Sequence, residues 1–189
     1  MQTPYTFRPA EIAEIAAIMK KVKRSDTPFE ERRAVAYAIA KMETDVGDKT
    51  NGWGTSASPV LYKDLVFINA SVESESLVAL DRRTGAEKWR TPGIRESWNT
   101  PVVVTANSGR QELVVATQGK ILAFNPDSGE PLWSCKTDIR WYMVPSVVAA
   151  DGIVYCLGGR SGIAALAVRA GGSGDVTDTH RLWTSLKGS

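Results

Sequence analysis

One eleven-residue pattern occurs twice in this chain of 189 residues. ALDRRTGAEKW (Ala79 to Trp89) returns as AFNPDSGEPLW (Ala123 to Trp133), displaced by 44 positions. Repetition at a period near 40 belongs to chains built of stacked supersecondary units, none of which can bury its own apolar face alone. A third, degenerate copy begins at Ala165 and reaches Trp183 with eight extra residues, eighteen steps instead of ten. Ahead of each copy lies an apolar segment opened by proline, SPVLY, TPVVV and VPSVV, and Pro59, Pro101 and Pro145 are 42 and 44 apart. Each unit reads as four short strands. The first has Pro59–Tyr62, Leu65–Ala70, Leu77–Leu80 and Glu87–Arg90. The second has Pro101–Thr105, Leu113–Thr117, Ile121–Phe124 and Leu132–Cys135. The third has Val147–Ala149, Ile153–Leu157, Ile163–Val168 and Arg181–Thr184. Turn residues separate them, among them Lys63-Asp64, Asn107-Ser108-Gly109, Gln118-Gly119 and Asp151-Gly152.

The strands are nearly continuous apolar runs (VVV, LVVA, IVYCL) instead of strict alternations, as in sheets covered on both faces. Sheets fanned side by side supply such an environment. In the repeated hairpin, Asp81 or Asn125 can fold onto backbone N–H groups ahead of it. Gly85 and Gly129 supply the positive φ of a short loop. Trp89, Trp133 and Trp183 each offer a large apolar surface and one N–H that needs an acceptor. A ring laid between two sheets satisfies both needs, so the repeat is a packing device.

Residues 1 to about 48 differ in texture. They contain no Trp and one Gly, Gly47, whereas the remainder holds all six Trp and fifteen of the sixteen Gly. Pro9 at a first turn, Ile12, Ile15, Met19 and Val22 at three- and four-residue steps, and Lys20 to Arg24 at the far end describe a helix over about 10–24. Thr27 with Glu30 forms a capping-box pattern around Pro28. Val35, Ala38, Ile39 and Met42 then give a second stripe over about 28–44. The expected architecture is mainly β, three four-stranded antiparallel units over about 57–92, 99–137 and 144–186, preceded by a helical hairpin at 1–48. A net charge of +2 does not suit a general nucleic-acid or polybasic membrane surface. No apolar run reaches the roughly 20 residues of a bilayer span, and no export signal is recognisable at the start.

The pattern A-x-D-x-x-T-G-x-x-x-W, met at every fixed position by Ala79, Asp81, Thr84, Gly85 and Trp89, resembles the tryptophan-docking motif of the quinoprotein-type β-propellers. Ala123, Asn125, Ser128, Gly129 and Trp133 meet it with Asn and Ser substitutions, and Trp183 closes the third copy. The likeness covers about residues 52–189. It implies a partial propeller, since rings of this family close about seven or eight units. It also implies two classes of role. In quinoprotein dehydrogenases the channel holds pyrroloquinoline quinone and Ca²⁺, and a carboxylate takes the alcohol proton as the quinone accepts hydride. In the larger set bearing the same repeat no cofactor is implied, and the ring is an interaction surface. Members are typically periplasmic or exported.

Residues just before each first strand are expected at the channel end: Trp53, Arg95, Glu96, Trp98, Asn99, Arg140 and Trp141 are the candidate binding residues. Glu96 with Asn99 could contribute to a hard-cation oxygen shell. The competing reading, which we prefer, makes Trp98 and Trp141 packing residues and Arg95 and Glu96 solvated charges. GGSGDVTD (Gly171 to Asp178) reads as an extended hairpin loop without the spacing of a calcium loop. His180, the one histidine, excludes a multi-histidine metal site. Cys135 and Cys156 read as small buried hydrophobes. No catalytic or metal-ligating residue is assigned. The expected role is a non-catalytic binding or scaffold module without cofactor, meeting a protein partner or another copy of itself through uncovered faces. The alternative is part of a pyrroloquinoline-quinone-dependent dehydrogenase acting with Ca²⁺ on alcohols or sugars.

Overall fold

The computed structural model describes residues 55–139, 142–158 and 164–186; the helical hairpin expected at 1–48 lies outside the described residues. What is described is mainly β. Strands β1 (Val60–Tyr62), β2 (Leu65–Ala70), β3 (Ser76–Asp81) and β4 (Glu87–Pro92) pair in chain order as an antiparallel sheet, with a one-turn helix, α1 (Ser71–Ser74), between β2 and β3. A second sheet follows with β5 (Val102–Thr105), β6 (Gln111–Thr117), β7 (Lys120–Phe124) and β8 (Pro131–Lys136). The third begins with β9 (Val148–Ala150), β10 (Ile153–Gly158) and β11 (Ala164–Arg169). The chain then departs through β12 (Gly174–Asp175) and α2 (Thr177–His180) before returning as β13 (Arg181–Leu186), the fourth strand of that sheet. The twelve expected strands are all present, their ends displaced by at most two residues; α1, β12 and α2 are additions that the sequence pattern does not announce.

Strand register explains the repeat. Val60, Phe67, Ala79 and Trp89 stand directly opposite one another across the first sheet. Val102, Val114, Ala123 and Trp133 do so across the second. Val148, Tyr155, Ala167 and Trp183 complete the set in the third. In every sheet a register shift follows the alanine. Alanine opposite the indole leaves room for the ring to lie flat on the sheet, and all three alanines are fully buried. The third copy is thus anchored at Ala167, sixteen steps from Trp183, whereas Ala165, where the sequence pattern places its start, faces Ser185.

Alternation along the strands sorts the core into layers. Phe67, Leu77, Ala79 and Tyr62 pack against Leu113, Val115 and Phe124, filling the space between the first two sheets. Val114, Ala116, Ala123 and Trp133 pack against Val154, Cys156, Leu166 and Val168, filling the next. The rows of the first two sheets therefore face the sheet that follows in the chain. The outer face of the first sheet carries Val66, Ile68, Ala70, Val78 and Leu80, all buried. The outer face of the third does not match it: Val148, Tyr155, Leu157 and Trp183 are exposed.

The excursion after β11 ties the last two sheets together. β12 pairs in parallel with β8, Gly174 opposite Trp133 and Asp175 opposite Ser134, so the second sheet has five strands. Val176 N–H donates to the Ser134 carbonyl at 2.8 Å, Lys136 N–H to Thr177 Oγ1 at 2.9 Å, and Lys136 Nζ lies 3.1 Å from Asp175 Oδ2. Among the described residues no helix is long and apolar enough to cross a membrane.

Candidate functional site

Two regions carry the candidate residues: the hairpins that receive the tryptophans, and the segment entering the second sheet. In the first hairpin Asp81 Oδ1 accepts the N–H groups of Arg83 and Thr84 at 2.9 and 3.0 Å, and Gly85 N–H returns to the Asp81 carbonyl. Those donors, Thr84 foremost and Arg83 next, hold the Asp81 carboxyl at about 2, below the ordinary carboxylate range. Asn125 builds the second hairpin through Asp127 and Gly129 without a charge. Gly85 and Gly129 have φ of +71° and +75°. Thr84 Oγ1 accepts from Ala86 N–H and Ser128 Oγ from Glu130 N–H, closing each loop from the far side.

The indoles then differ. Trp89 lies over Gly129, where a Cβ would stand 2.6 Å from the ring, and its Nε1–H donates to the Pro126 carbonyl at 3.2 Å. Thr91 adds a bond to the Gly129 carbonyl, and Lys63 an ion pair with Asp127. Trp133, 3% exposed, donates instead to Glu112 Oε2 at 2.6 Å. That oxygen also receives Gly171 N–H from the turn after β11, while Arg110 binds both Glu112 and the Gly172 carbonyl. A buried carboxylate thus stands between the second indole and the next sheet, a partner that sequence reasoning missed. Its signal was a glutamate opening an apolar strand with an arginine two residues before it. Trp183 is 47% exposed.

The segment 95–100 enters the second sheet through a buried polar network. Asn69 Nδ2 donates to Ser97 Oγ and to the Asn99 carbonyl, each at 2.8 Å. Ser97 Oγ donates to the Ala116 carbonyl, and Asn99 Nδ2 reaches the same carbonyl while its Oδ1 accepts Ala116 N–H. Ser71 Oγ accepts Ser97 N–H. Asn69, Ser71 and Ser97 were not singled out from sequence, although an Asn-Ala-Ser run ending an apolar strand marks the place. Bonds along the inner edge continue the pattern, Ser58 N–H to Thr100 Oγ1 and Thr100 N–H to Ser146 Oγ. Met143 pairs with the same segment through Trp98 and Glu96.

Arg95, Glu96 and Trp98 line a cleft of ≈ 290 Å³ together with Ser71, Val72, Glu75 and Gln118. Arg95 Nε is 2.7 Å from Glu75 Oε2, and Trp98, nearly buried, meets Tyr142 edge-on at 5.0 Å. Glu96 Oε2 is buried without a hydrogen-bond partner. Glu75 and Glu96 both have positive φ, 50° and 52°. Asn99 does not line the cleft: it is fully buried in the network behind it. Trp53, Arg140 and Trp141 lie outside the described residues.

The quinone and Ca²⁺ implied by the resemblance place a demand on these groups. Ca²⁺ takes about six to eight oxygens. Asn99 has its amide engaged on both sides, Glu75 is paired with Arg95, and no group of three His, Cys, Asp or Glu able to hold a metal occurs among the described residues. The described residues do not form that shell. Cys135 and Cys156 sit in the apolar layer between the second and third sheets as free thiols, and burial pushes Cys156 up to about 12.

Comparison with known proteins places the fold. The quinohemoprotein alcohol dehydrogenase ADHIIG from Pseudomonas putida HK5 superposes with a TM-score of 0.55 at 16% identity, over 74% of this chain and 21% of its own. The quinohemoprotein alcohol dehydrogenase of Comamonas testosteroni gives 0.53 at 18%, over 94% and 31%. At such identities the likeness is one of fold, and this chain spans less than a third of either structure's length. No curated protein matches the chain by sequence. A family model described as outer membrane protein assembly factor BamB matches residues 73–189. The match takes in all of the second and third sheets and both complete hairpin motifs. The chain therefore belongs to the PQQ-like repeat family that carries that description.

Proposed function

We propose that this chain is a non-catalytic binding or scaffold module, three blades of a β-propeller preceded by a helical hairpin. The observation that carries the reading is the exposed row Val148–Tyr155–Trp183 on the outer face of the third sheet. The same row in the first sheet docks an indole onto its neighbour's hairpin, so the third presents a surface shaped for another sheet. The occupant is a second sheet-bearing surface, from this chain or from a protein partner. The buried outer face of the first sheet supports a shielding role for the segment expected as helices at about 10–24 and 28–44.

Sedimentation of the full chain over a concentration series tests it. Association is expected, and Trp183→Ser should weaken it by about tenfold or more, as loss of a central aromatic anchor does, while the melting temperature changes little. A monomer at all concentrations overturns self-association and leaves a protein partner as the occupant, and an association indifferent to that substitution overturns the assignment of this face.

A second reading, part of a quinone-dependent dehydrogenase, is favoured by one feature, the partnerless Glu96 oxygen in the cleft. The remaining cofactor contacts would come from outside the described residues. Retention of quinone absorbance after adding pyrroloquinoline quinone with Ca²⁺, together with substrate-dependent dye reduction, would reverse the preference.

A further inference from the structure

The cleft at the entrance to the second sheet is built from opposed charges that do not cancel. Two carboxylates, Glu75 and Glu96, face one guanidinium, Arg95. Arg95 is committed to Glu75 at 2.7 Å, which leaves the charge of Glu96 unanswered. Its Oε2 is withdrawn from solvent and receives no donor. A buried carboxylate oxygen without a donor carries an uncompensated desolvation cost, which a cationic donor reaching Glu96 would relieve. Trp98, edge-on against Tyr142, and the helical turn at Ser71 and Val72 also line the cleft.

These features select a ligand chemistry. An anion would meet the uncompensated carboxylate. A hard metal ion takes about six to eight oxygens, whereas the cleft has two carboxylates, of which Glu75 is already paired with Arg95, and Asn99 is turned into the network behind. A volume of ≈ 290 Å³ is at the small end of ligand clefts and suits the end of one side chain. A planar cation with several N–H donors can bind a carboxylate while its face lies against an aromatic ring. We propose that this cleft binds a guanidinium group, with Glu96 as the acceptor. The proposal rests on the reading of the chain as a binding module and names the chemistry of a partner at a place distinct from the Trp183 face.

Titration of the full chain, followed by tryptophan fluorescence and calorimetry, tests it with four probes: methylguanidinium, acetyl-Gly-Arg-Gly-amide, its citrulline counterpart, and Ca²⁺. The arginyl peptide is expected to bind and the uncharged citrulline isostere to bind at least about tenfold more weakly, the scale of one charge-assisted bond. Glu96→Gln should cost about tenfold, and Glu96→Asp, which keeps the charge, should recover part of it. Unchanged circular dichroism in both variants separates a lost acceptor from a lost fold. Tighter binding of the peptide than of methylguanidinium supports the proposal with a protein side chain as source. Equal affinities support it with a small free cation as source. Equal binding of arginine and citrulline, indifference to Glu96→Gln, or a Ca²⁺ affinity exceeding both overturns it. Because Trp183 lies elsewhere, its association assay fails or succeeds independently of this one.

Discussion

At the scale of single residues, the two tryptophan junctions show how one motif is satisfied in two ways. Trp89 uses its neighbour's backbone, and the fit is close enough that Gly129 admits nothing larger. Gly129→Ala places a methyl 2.6 Å from the Trp89 ring and 2.7 Å from Thr91 Oγ1 in a backbone with φ +75°. Gly119 has φ +77°, and a methyl there would meet nothing within 4 Å. Substituting alanine at Gly119 should cost about 1–2 kcal/mol, the left-handed conformational penalty alone. At Gly129 overpacking adds about 1–3 kcal/mol more. Urea unfolding of the two variants reads the difference, and equal losses would mean that the indole is not held where it lies. Asp81 gives a pH signature. Its folded pKa of about 2 is below the unfolded value, so its contribution is present above about pH 4 and is lost as pH falls toward 2. Asp81→Asn, which imitates Asn125, should flatten stability against pH across that window, and an unaltered slope would count against the assignment.

At the scale of elements, the β12–α2 excursion shows how an insertion can strengthen a repeat instead of interrupting it. Thr177→Val removes the acceptor of Lys136 N–H. The expected result is faster hydrogen exchange at Lys136, by about tenfold, and a stability loss of about 1 kcal/mol; unchanged protection would show that the strap does not hold β8. This element was not legible in the sequence. A two-residue strand has no period to read, and Gly-Gly-Ser-Gly-Asp is turn chemistry whether or not one pair of residues finds a partner. The insertion also shifts the apparent start of the third copy from Ala167 to Ala165, because either alanine fits a spacing without a fixed loop length. Most of the twelve longer strands were legible because turn residues such as Gly, Asp, Asn and Pro bound their apolar runs. Arg95, Glu96 and Trp98, singled out by their position before a strand, line one cleft. That Asn99 turns inward depends on Asn69 and Ala116, 30 and 17 residues away, and no local pattern encodes such a meeting.

At the scale of the whole molecule, the three rows share a direction. Trp89 and Trp133 each face the sheet that follows, and Trp183 faces the same way with no sheet opposite it among the described residues, so the stack has a giving end and a receiving end, and the two ends are finished differently. The first sheet's outer face is closed and the third's is open. This asymmetry is why the association test above centres on Trp183: a surface that displays an indole to solvent gains most from a partner that brings a carbonyl.

The strand lent by the third sheet to the second has a mechanical consequence. Each boundary has an exposed ion pair, but backbone strand bonds cross only this one, whereas the boundary before it is held by packed rings and side-chain bonds among the described residues. Pulled from its two ends, the chain should part first between its opening leaflet and the rest, and the later two should yield together as a single tethered body.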